Sequence, residues 1–462
     1  MFVGREQELK KLNKMYQSSK LEVAVIYGRR RVGKTTLINE FCKDKKTIFF
    51  ASLESSAEQN LESLSNAINY ADVGISSNAI YRSFSDAFDK IKEMASSDRL
   101  IFVIDEFPYL AQTELSISSL LQNYLDHQFK NTKLFLIICG SSMRFMENQV
   151  LGYQSPLYGR CTAQFKIMPF DYFDTGKWFP KYSYEDKAVM YGITGGIPMY
   201  LEQFSPEKNV KENLLDCIFD KNAMLFEEPS NLLKQELREP ATYNAIITAI
   251  ASGKTKLSEI SSAVGLETGL CSKYITNLIS LGILKKETPV TDPNNKRPIY
   301  LIEDFFFRFW YTFIPNNMSA ILSGRIRQAY KESIESRLSD YMRLVFEKMC
   351  KDFMLFHDEN LPFIIGEIGQ WWGADSKTKK QVQIDIVAAS IDKQEGVIGS
   401  CKYCNKLIGE DELKLIQAYA QTMNRFDRCY YFLFSKSGFT SSLKKCHQPD
   451  VRLITLSDLY SK

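Results

Sequence analysis

One segment near the N-terminus restricts the fold of this chain more than any other feature. Residues 22–35 read EVAVIYGRRRVGKT, an apolar run of strand-forming residues followed by Gly28-x4-Gly33-Lys34-Thr35. The next residues, TLINEFCKD, place apolar side chains at helical spacing. A buried strand, a glycine-containing loop and a helix in this order predict a phosphate-binding loop within an α/β fold.

The residues of this loop are suited to a nucleoside triphosphate. Glycines let backbone N–H groups curl around phosphate oxygens, and Lys34 supplies positive charge to the β- and γ-phosphates. The Thr35 hydroxyl can ligate magnesium. We therefore expect ATP and Mg²⁺ as cofactors, with Lys34 also serving catalysis. The loop residues expected to bind the nucleotide are Gly28, Arg29, Arg30, Arg31, Val32, Gly33, Lys34, Thr35 and Thr36.

A second apolar strand ends in a pair of acids. Residues 99–110 read RLIFVIDEFPYL, with Asp105 and Glu106 at the end of the apolar run. A single carboxylate at a strand end suits magnesium, which predicts Asp105 as a metal residue. Glu106 is predicted to orient or deprotonate the water that attacks the γ-phosphate. The alternative is that these two acids only begin a solvated loop and have no role in catalysis. The nearby phosphate loop disfavours this alternative.

A third apolar strand, KLFLIICGSSM at 133–143, ends in small polar residues. Ser141 or Ser142 would lie at its carboxyl end, where open α/β sheets bind ligands. A tight turn between strand and helix explains the same residues equally well, so both interpretations stay open.

Six segments of the N-terminal half form a specific combination of motifs. They are FVGREQEL at 2–9, GRRRVGKT at 28–35, FVIDEFPYL at 102–110, CGSSM at 139–143, LYGRCTAQFKIMPF at 157–170 and GITGGIPMYL at 192–201. Together they resemble the prokaryotic, archaeal-type ATPase family within the STAND branch of the AAA+ superfamily of P-loop NTPases.

The resemblance implies roles for residues outside the phosphate loop. Ser141 would occupy a sensor position, and Pro198 would approach the nucleotide. Arg160 matches an arginine of the family that senses phosphate charge within its own chain or across a subunit interface, a task that suits its rigid fork of donors. An ion pair between Arg160 and a surface acid is the alternative. The residues implied beside the adenine end are Phe2, Val3, Gly4 and Arg5.

The length of the chain, 462 residues, predicts about three domains or more. The expected fold class is α/β, with a P-loop NTPase (AAA+-like) parallel sheet core, a helical lid, a winged helix-turn-helix and a C-terminal α/β nuclease-like domain. The boundaries follow changes in pattern: core 1–170, lid 171–238, winged helix and docking helix 239–315, and nuclease-like domain 316–462. The docking helix is the aromatic run DFFFRFWYTFI at 304–314.

Residues 241–303 have the pattern of a winged helix, three short helices followed by two strands joined by a polar hairpin. DNA binding would place the third helix, 268–280, in the major groove. Candidate contacts are Ser272, Lys273, Thr276 and Asn277, with Lys296 and Arg297 at the wing tip. A protein-packing module is the alternative, because the third helix carries only one lysine.

The C-terminal third resembles the PD-(D/E)xK nuclease fold. The resemblance implies that Glu347, Asp385 and Lys402 form a nuclease-like site that holds magnesium and steadies an attacking hydroxide. The sequence departs from the pattern at Ser400, where a carboxylate is expected. Glu367 is a candidate to supply the missing ligand.

Composition limits the partners. The net charge is only +3, so a nucleic-acid surface has to be local. The longest apolar runs are far below the ~20 residues of a membrane span, and the N-terminus has no signal-peptide core. We expect a cytoplasmic protein with reduced thiols, DNA or a protein or a second copy as partner, and no membrane contact. Zinc bound by Cys401 and Cys404 is not expected, because along a strand these side chains point to opposite faces.

The sequence thus predicts an ATP-binding, ATP-hydrolysing protein whose nucleotide state controls a C-terminal module that interacts with nucleic acid. Two alternatives stay open. One is an ATP-regulated DNA nuclease that uses Glu347, Asp385 and Lys402. The other is an ATP-dependent protein-interaction switch without DNA binding.

Overall fold

The computed structural model describes residues 2–74, 79–290, 298–374, 381–446 and 448–461. The chain divides into two compact units. The first contains Met1–Pro169 and Ile197–Met199, and the second contains Phe170–Gly196 and Tyr200–Lys462.

The first unit is built on a five-stranded, wholly parallel sheet with the order β2-β3-β4-β1-β5. The strands are β1 Glu22–Tyr27, β2 Thr47–Ala51, β3 Leu100–Asp105, β4 Leu134–Gly140 and β5 Ala163–Lys166. The helices are α1 Glu6–Tyr16, α2 Lys34–Cys42, α3 Ala57–Val73, α4 Phe84–Ser97, α5 Phe107–Thr113, α6 Ile117–Asn123 and α7 Met143–Phe145.

The three central strands are buried along their whole length, as continuous apolar runs in parallel sheets require. Alternate residues of β1 enter separate cores: Val23 and Val25 pack on one face of the sheet, and Ala24 and Ile26 on the other. The predicted P-loop NTPase-like core with a parallel sheet is confirmed.

The strand order decides which loops meet. Because β4 lies between β1 and β3, the carboxyl ends of these three strands share one edge of the sheet. The phosphate loop, the acid pair at 105–106 and Ser141 are therefore neighbours, although they are far apart in the sequence.

The second unit begins with helices and continues into a winged-helix arrangement. Its first helices are α8 Tyr172–Lys177, α9 Tyr184–Thr194, α10 Pro198–Leu201, α11 Val210–Cys217 and α12 Glu228–Glu236, with Pro198 and Met199 of α10 grouped in the first unit. The winged-helix elements are α13 Pro240–Ala251, α14 Leu257–Val264, α15 Thr268–Ser280, β6 Leu284–Glu287 and β7 Ile299–Ile302. The strands β6 and β7 pair antiparallel.

The predicted aromatic docking helix is longer than expected. It forms α16, Phe305–Leu322, and continues past the internal Pro315. Phe306, Phe307 and Phe309 of this helix are buried, because their rings remove a large apolar area from water. Two helices follow, α17 Ile326–Tyr330 and α18 Ser336–Asp352.

The C-terminal part is a mixed five-stranded sheet with the order β12-β11-β10-β9-β8. The strands β8, β9 and β10 pair antiparallel, and β10, β11 and β12 pair parallel. The last strand, β12, lies at the edge of the sheet beside β11. The bounds are β8 Ile365–Ala374, β9 Gln381–Ser390, β10 Glu395–Lys402, α19 Glu410–Met423, β11 Arg428–Ser435, α20 Ser441–Lys444, β12 Val451–Thr455 and α21 Leu456–Leu459.

Gly196 is a position where the second unit tolerates no side chain. Its φ is +68°, and a Cβ atom would lie 1.9 Å from the carbonyl oxygen of Phe170. We expect Gly196→Ala to lower the free energy of unfolding by about 3 kcal/mol, from left-handed strain together with overpacking. Gly195→Ala is the matched control, since its φ is +61° but the nearest atom would be 3.5 Å away. Equal urea midpoints for the two variants would contradict this prediction.

Candidate functional site

The phosphate loop connects the end of β1 to the start of α2. Arg31 and Gly33 both adopt left-handed backbone conformations, with φ of 75° and 83°. A Cβ atom at Gly28 would lie 2.3 Å from the Ile167 carbonyl oxygen, so only glycine fits there. Glycine is therefore required at the two positions for different reasons. At Gly28 another backbone segment approaches closely, and at Gly33 the φ angle is positive.

Lys34 begins α2 and points back into the loop. Its ammonium donates to the carbonyl oxygens of Gly28 and Arg29, both at 3.0 Å. Burial lowers the pKa of this ammonium, while the neighbouring Cys139, Glu106 and Asp105 groups oppose the shift. A buried cation whose donors lie within a ring of backbone groups suits the binding of phosphate oxygens.

Thr35 and Asp105 lie next to each other. The Thr35 hydroxyl donates to Oδ2 of Asp105 at 3.0 Å, and the Glu106 N–H donates to Oδ1 of the same carboxylate at 3.1 Å. A hydroxyl and a carboxylate are hard oxygen ligands, so this pair fits the requirement of Mg²⁺.

Glu106 is held by Ser141. Its backbone is left-handed, with φ of 52°. Its Oε2 accepts hydrogen bonds from the Ser141 N–H at 3.1 Å and from the Ser141 hydroxyl at 2.9 Å. The strained backbone and the two donors fix the direction of the carboxylate. Ser141, which the sequence left open between a ligand role and a turn role, thus contacts the predicted general base.

The N-terminal segment and the Gly-Ile-Pro turn both lie against the phosphate loop. Arg5 donates to the Val32 carbonyl oxygen at 3.2 Å and also to the carbonyl oxygen of Met168. The Pro198 ring is 3.5 Å from the position that a Cβ atom of Gly33 would occupy. These contacts place both segments beside the loop that the sequence predicts to bind nucleotide.

Arg160 forms an ion pair with an acid, which was the alternative interpretation. Its Nε and Nη2 donate to the two carboxylate oxygens of Asp126 at 2.8 and 2.7 Å. A further bond goes to the carbonyl oxygen of Pro156 at 2.9 Å. The hydrogen bond from Arg160 lowers the pKa of the Asp126 carboxyl. Sensing of phosphate charge by Arg160 stays a prediction.

Two residues of this site were missed. The Tyr109 hydroxyl accepts a hydrogen bond from Arg30 at 2.8 Å and so ties the phosphate loop to α5. Cys139 is fully buried near Lys34 and Asp105, and burial raises the pKa of its thiol well above the ordinary value. Cys139 belongs to β4, and Ser141 follows the end of that strand, so the position of Cys139 two residues before Ser141 could have indicated that it lies near the site.

The predicted nuclease-like residues fall into a polar cluster around β9 and β10. Asp385 accepts a hydrogen bond from the Cys401 N–H at 2.9 Å. Lys402 pairs with Glu412 on α19, with Nζ 3.1 Å from Oε1. The Ser400 hydroxyl donates to the same Glu412 oxygen at 2.7 Å. The sequence analysis missed Glu412, because its partners Ser400 and Lys402 are ten or more residues away in the sequence. Only the packing of α19 beside β10 brings Glu412 into contact with them.

Glu367, the candidate to supply the missing ligand, does not lie in this cluster. On β8 it lies opposite Ala389, four residues along β9 from Asp385, and it pairs with Lys393 at 3.2 Å. Gln370, three residues further along β8, donates to the Glu347 carboxylate instead.

The polar cluster does not fit a metal ion. Across residues 2–74, 79–290, 298–374, 381–446 and 448–461, no group of three or more His, Cys, Asp or Glu side chains could hold one. The Glu412 oxygen is engaged by Ser400 and Lys402, and Asp385 by a backbone N–H. We therefore derive no metal-dependent step from this cluster.

Glu347 provides a test of the electrostatics of the cluster. Burial, with a further contribution from Asp385, raises the pKa of its carboxyl from 4.5 to about 7. Between these pH values the folded protein binds more protons than the unfolded chain, so the free energy of unfolding falls as the pH rises. We expect Glu347→Gln to remove this loss and to be more stable than wild type by up to roughly 3 kcal/mol at pH 8, with little difference at pH 4.

Urea unfolding of both proteins from pH 4 to pH 8 measures this difference. The control is Glu335→Gln, at an exposed position outside the cluster. A stability difference between Glu347→Gln and wild type that does not change with pH would contradict the prediction.

The third helix of the winged-helix arrangement keeps an open face. Lys273 and Thr276 are exposed, whereas Asn277 is half-buried and donates to the Tyr243 hydroxyl at 2.8 Å. Ser272 is half-buried and accepts the Thr276 hydroxyl at its carbonyl oxygen. Lys296 and Arg297 lie outside the described residues.

None of the helices in the described part of the chain is both long and apolar enough to cross a membrane.

Comparison with known proteins decides the family. Residues 2–204 match an ATPase domain found predominantly in Archaea, and residues 310–416 match a family of archaeal and bacterial proteins of unknown function. A protein of Methanocaldococcus jannaschii without a characterised function is 34% identical over 415 residues, which cover 87% of this chain and 88% of the relative. The chain belongs to this archaeal-type ATPase family.

Two further similarities were found, one to a relative and one to a solved structure. An ATP-binding protein of M. jannaschii is 48% identical over 46 residues, or 10% of this chain and 78% of the relative. The structure of a Walker-type ATPase of Pyrococcus abyssi aligns with a TM-score of 0.51 at 19% identity, covering 67% of this ATPase and 96% of the Pyrococcus chain. The structural similarity supports the P-loop fold.

Proposed function

We propose that this ATPase is a nucleotide-driven switch that binds ATP with Mg²⁺ at the phosphate loop, hydrolyses it, and thereby controls a C-terminal module that interacts with nucleic acid. The observation that carries the proposal is the contact network at one edge of the parallel sheet. In it, Thr35 touches Asp105, and Glu106 touches Ser141.

The roles of the site residues follow from this network. Lys34 and the loop N–H groups would hold the phosphates, and Thr35 and Asp105 would hold Mg²⁺, which supplies charge stabilisation when bound. Glu106 would orient a water molecule and accept its proton. Ser141 is a positioning residue, because it acts by fixing the Glu106 carboxylate through two hydrogen bonds.

One short segment supports coupling between nucleotide state and the rest of the chain. Ile197–Met199 groups with the first unit, whereas the residues on both sides of it group with the second unit. Within the first unit, Pro198 lies against Gly33, and the Met199 N–H donates to the Arg31 carbonyl oxygen at 3.5 Å. A conformational change in the phosphate loop would therefore displace Ile197–Met199, and this segment is joined at both ends to residues of the second unit.

For the module itself, nucleic-acid binding without cleavage is the better-supported role. The exposed Lys273 and Thr276 on α15 are available for contact. In contrast, the carboxylates around Lys402 are paired with protein groups and are not arranged for a metal ion. Lys402 and Glu347 would therefore serve binding or packing in this proposal, not cleavage.

The test is DNA affinity of the full-length protein with ADP and with a slowly hydrolysed ATP analogue, measured by fluorescence anisotropy over a range of salt concentrations. We expect duplex affinity to change about tenfold between the two nucleotides, within the usual range of coupling free energies. The double variant Lys273→Ala/Thr276→Ala should weaken binding in both states, whereas Lys331→Ala, exposed and outside α15, should not.

Two results would contradict the proposal. Equal affinities in both nucleotide states would remove the switch. Absence of DNA binding in every state would remove the nucleic-acid role and leave an ATP-dependent protein-interaction switch. Divalent-dependent DNA cleavage lost in Lys402→Ala would instead establish the nuclease alternative.

A further inference from the structure

A cavity in the second unit contains an arginine with one buried donor that has no hydrogen-bond partner among the described residues. The cavity has a volume of about 450 Å³ and is lined by residues of α13, β7, α16 and α18. Arg308 of α16 lines it and also lines an adjoining space of about 120 Å³. We call the larger space the Arg308 cavity.

The guanidinium of Arg308 is an exception to the usual pairing of buried charge. Its Nη1 is buried and has no hydrogen-bond partner within the described residues. Its contact with protein is the face of the Tyr341 ring, 4.5 Å from the guanidinium carbon. Burial lowers the pKa of Arg308, and the Tyr341 hydroxyl and the Glu347 carboxyl oppose the shift. Buried guanidinium donors are normally satisfied, so Nη1 calls for an acceptor that the described residues do not supply.

A second arginine shares the cavity. Arg337 of α18 lies over the Phe313 ring at 5.7 Å, and it has no ion pair among the residues that the structure describes. The cavity also contains Asp340, but this acid is paired with Arg343 at 2.9 Å. Among the described residues, neither guanidinium group of the Arg308 cavity forms a salt bridge with an acid, although the Glu347 carboxylate acts on Arg308 electrostatically.

Among the described residues, no carboxylate that lines the adjoining space forms a salt bridge with Arg308. These carboxylates are engaged elsewhere: Glu303 with Lys285 at 3.3 Å, and Glu347 with the Gln370 amide. Glu287 also lies near Lys285, at 3.5 Å. Of the two lysines of α18 in this space, Lys348 pairs with Asp352 at 2.5 Å, and Lys351 is 4.0 Å from Glu287.

The remaining walls combine the polar Thr255 and Thr312 with several apolar side chains. Ile250 comes from α13, Leu301 and Ile302 from β7, and Leu344 from α18. A ligand that satisfied both arginines and filled this volume would need an anionic group with several oxygen acceptors and an attached apolar part. Two guanidinium forks suit three or more acceptor oxygens, which favours a phosphate group.

We propose that the Arg308 cavity is a second ligand site, separate from the phosphate loop, which binds a small phosphate monoester with an apolar substituent. Arg308 and Arg337 bind the phosphate oxygens, and the α13, β7 and α18 side chains contact the apolar part. Because the walls come from the winged helix and from α18, the bound molecule ties these elements together.

The test uses full-length protein with its phosphate loop saturated by ADP and Mg²⁺, so that added phosphate compounds cannot report on that loop. Isothermal titration calorimetry measures binding of phenyl phosphate, inorganic phosphate and benzyl alcohol. We expect phenyl phosphate to bind more tightly than inorganic phosphate and benzyl alcohol not to bind. Arg337→Met should weaken phenyl phosphate at least about tenfold, and Arg308→Met should abolish measurable binding.

Arg325→Met is the matched control, since Arg325 is exposed and lies outside the cavity. The exposed Arg337 decides the matter even if Arg308→Met fails to fold. The proposal is overturned if phenyl phosphate does not bind wild type, if both cavity variants bind it as wild type does, or if the arginine changes weaken duplex DNA binding alone.

Discussion

Lys34→Met should abolish ATP hydrolysis, with a fall in kcat of about 10²-fold or more, because the variant loses a preorganised positive charge on the transferred phosphoryl group. Lys34 is buried, and its ammonium donates to two carbonyl groups of its own loop, those of Gly28 and Arg29. Replacing a buried cation with an uncharged side chain of similar length should leave the melting temperature unchanged or higher. Phosphate release and thermal unfolding of the same preparation measure both effects.

The matched control is Lys10→Met, at an exposed position on α1. It should hydrolyse ATP as wild type does. A Lys34→Met protein that retained more than a tenth of the wild-type rate would show that this loop is not the catalytic phosphate site. A loss of activity that accompanied a much lower melting temperature would show a folding defect instead.

Glu106→Gln should lower the rate of hydrolysis about 10²- to 10⁴-fold while ATP binding is retained, because an amide cannot accept the proton of the attacking water. The amide oxygen can still accept from Ser141, so the geometry at the end of β4 should be preserved. Single-turnover hydrolysis and equilibrium binding of a fluorescent ATP analogue separate the two quantities.

Ser141→Ala completes this experiment. It removes one of the two donors to Glu106 and leaves the backbone N–H in place, so the rate should fall less than in Glu106→Gln. If Glu106→Gln hydrolysed ATP at the wild-type rate, Glu106 would not be the base. If Ser141→Ala had the larger effect of the two, the hydroxyl itself would take part in the reaction.

The phosphate-binding half of the protein could be predicted largely from local sequence. The apolar run of β1, the glycines at 28 and 33, and the Lys34-Thr35 pair lie within fourteen consecutive residues. Strand, loop and helix are formed there by short-range preferences, so their spacing in the sequence is also their spacing in the fold. The position of Asp105 and Glu106 at the end of β3 could be predicted because an apolar run ended at them.

Contacts between distant segments could not be predicted in the same way. Ser141 reaches Glu106 only because β4 is inserted between β1 and β3 in the sheet. Glu412 reaches Ser400 only because α19 packs beside β10, and which side chain of β8 contacts Glu347 of α18 depends on how these two elements pack. A one-residue change in register moves every side chain to the other face, and no local pattern reports it.

The arrangement of side chains could therefore be predicted from the sequence where residues close in sequence are also close in space, as in the loop from Gly28 to Thr35. The meaning of isolated charges depended on packing. The ion pair of Arg160 with Asp126 and the cavity beside Arg308 are both formed by residues that are distant in the sequence. Burial and pairing set the free energy of a charge, and both are properties of the tertiary structure.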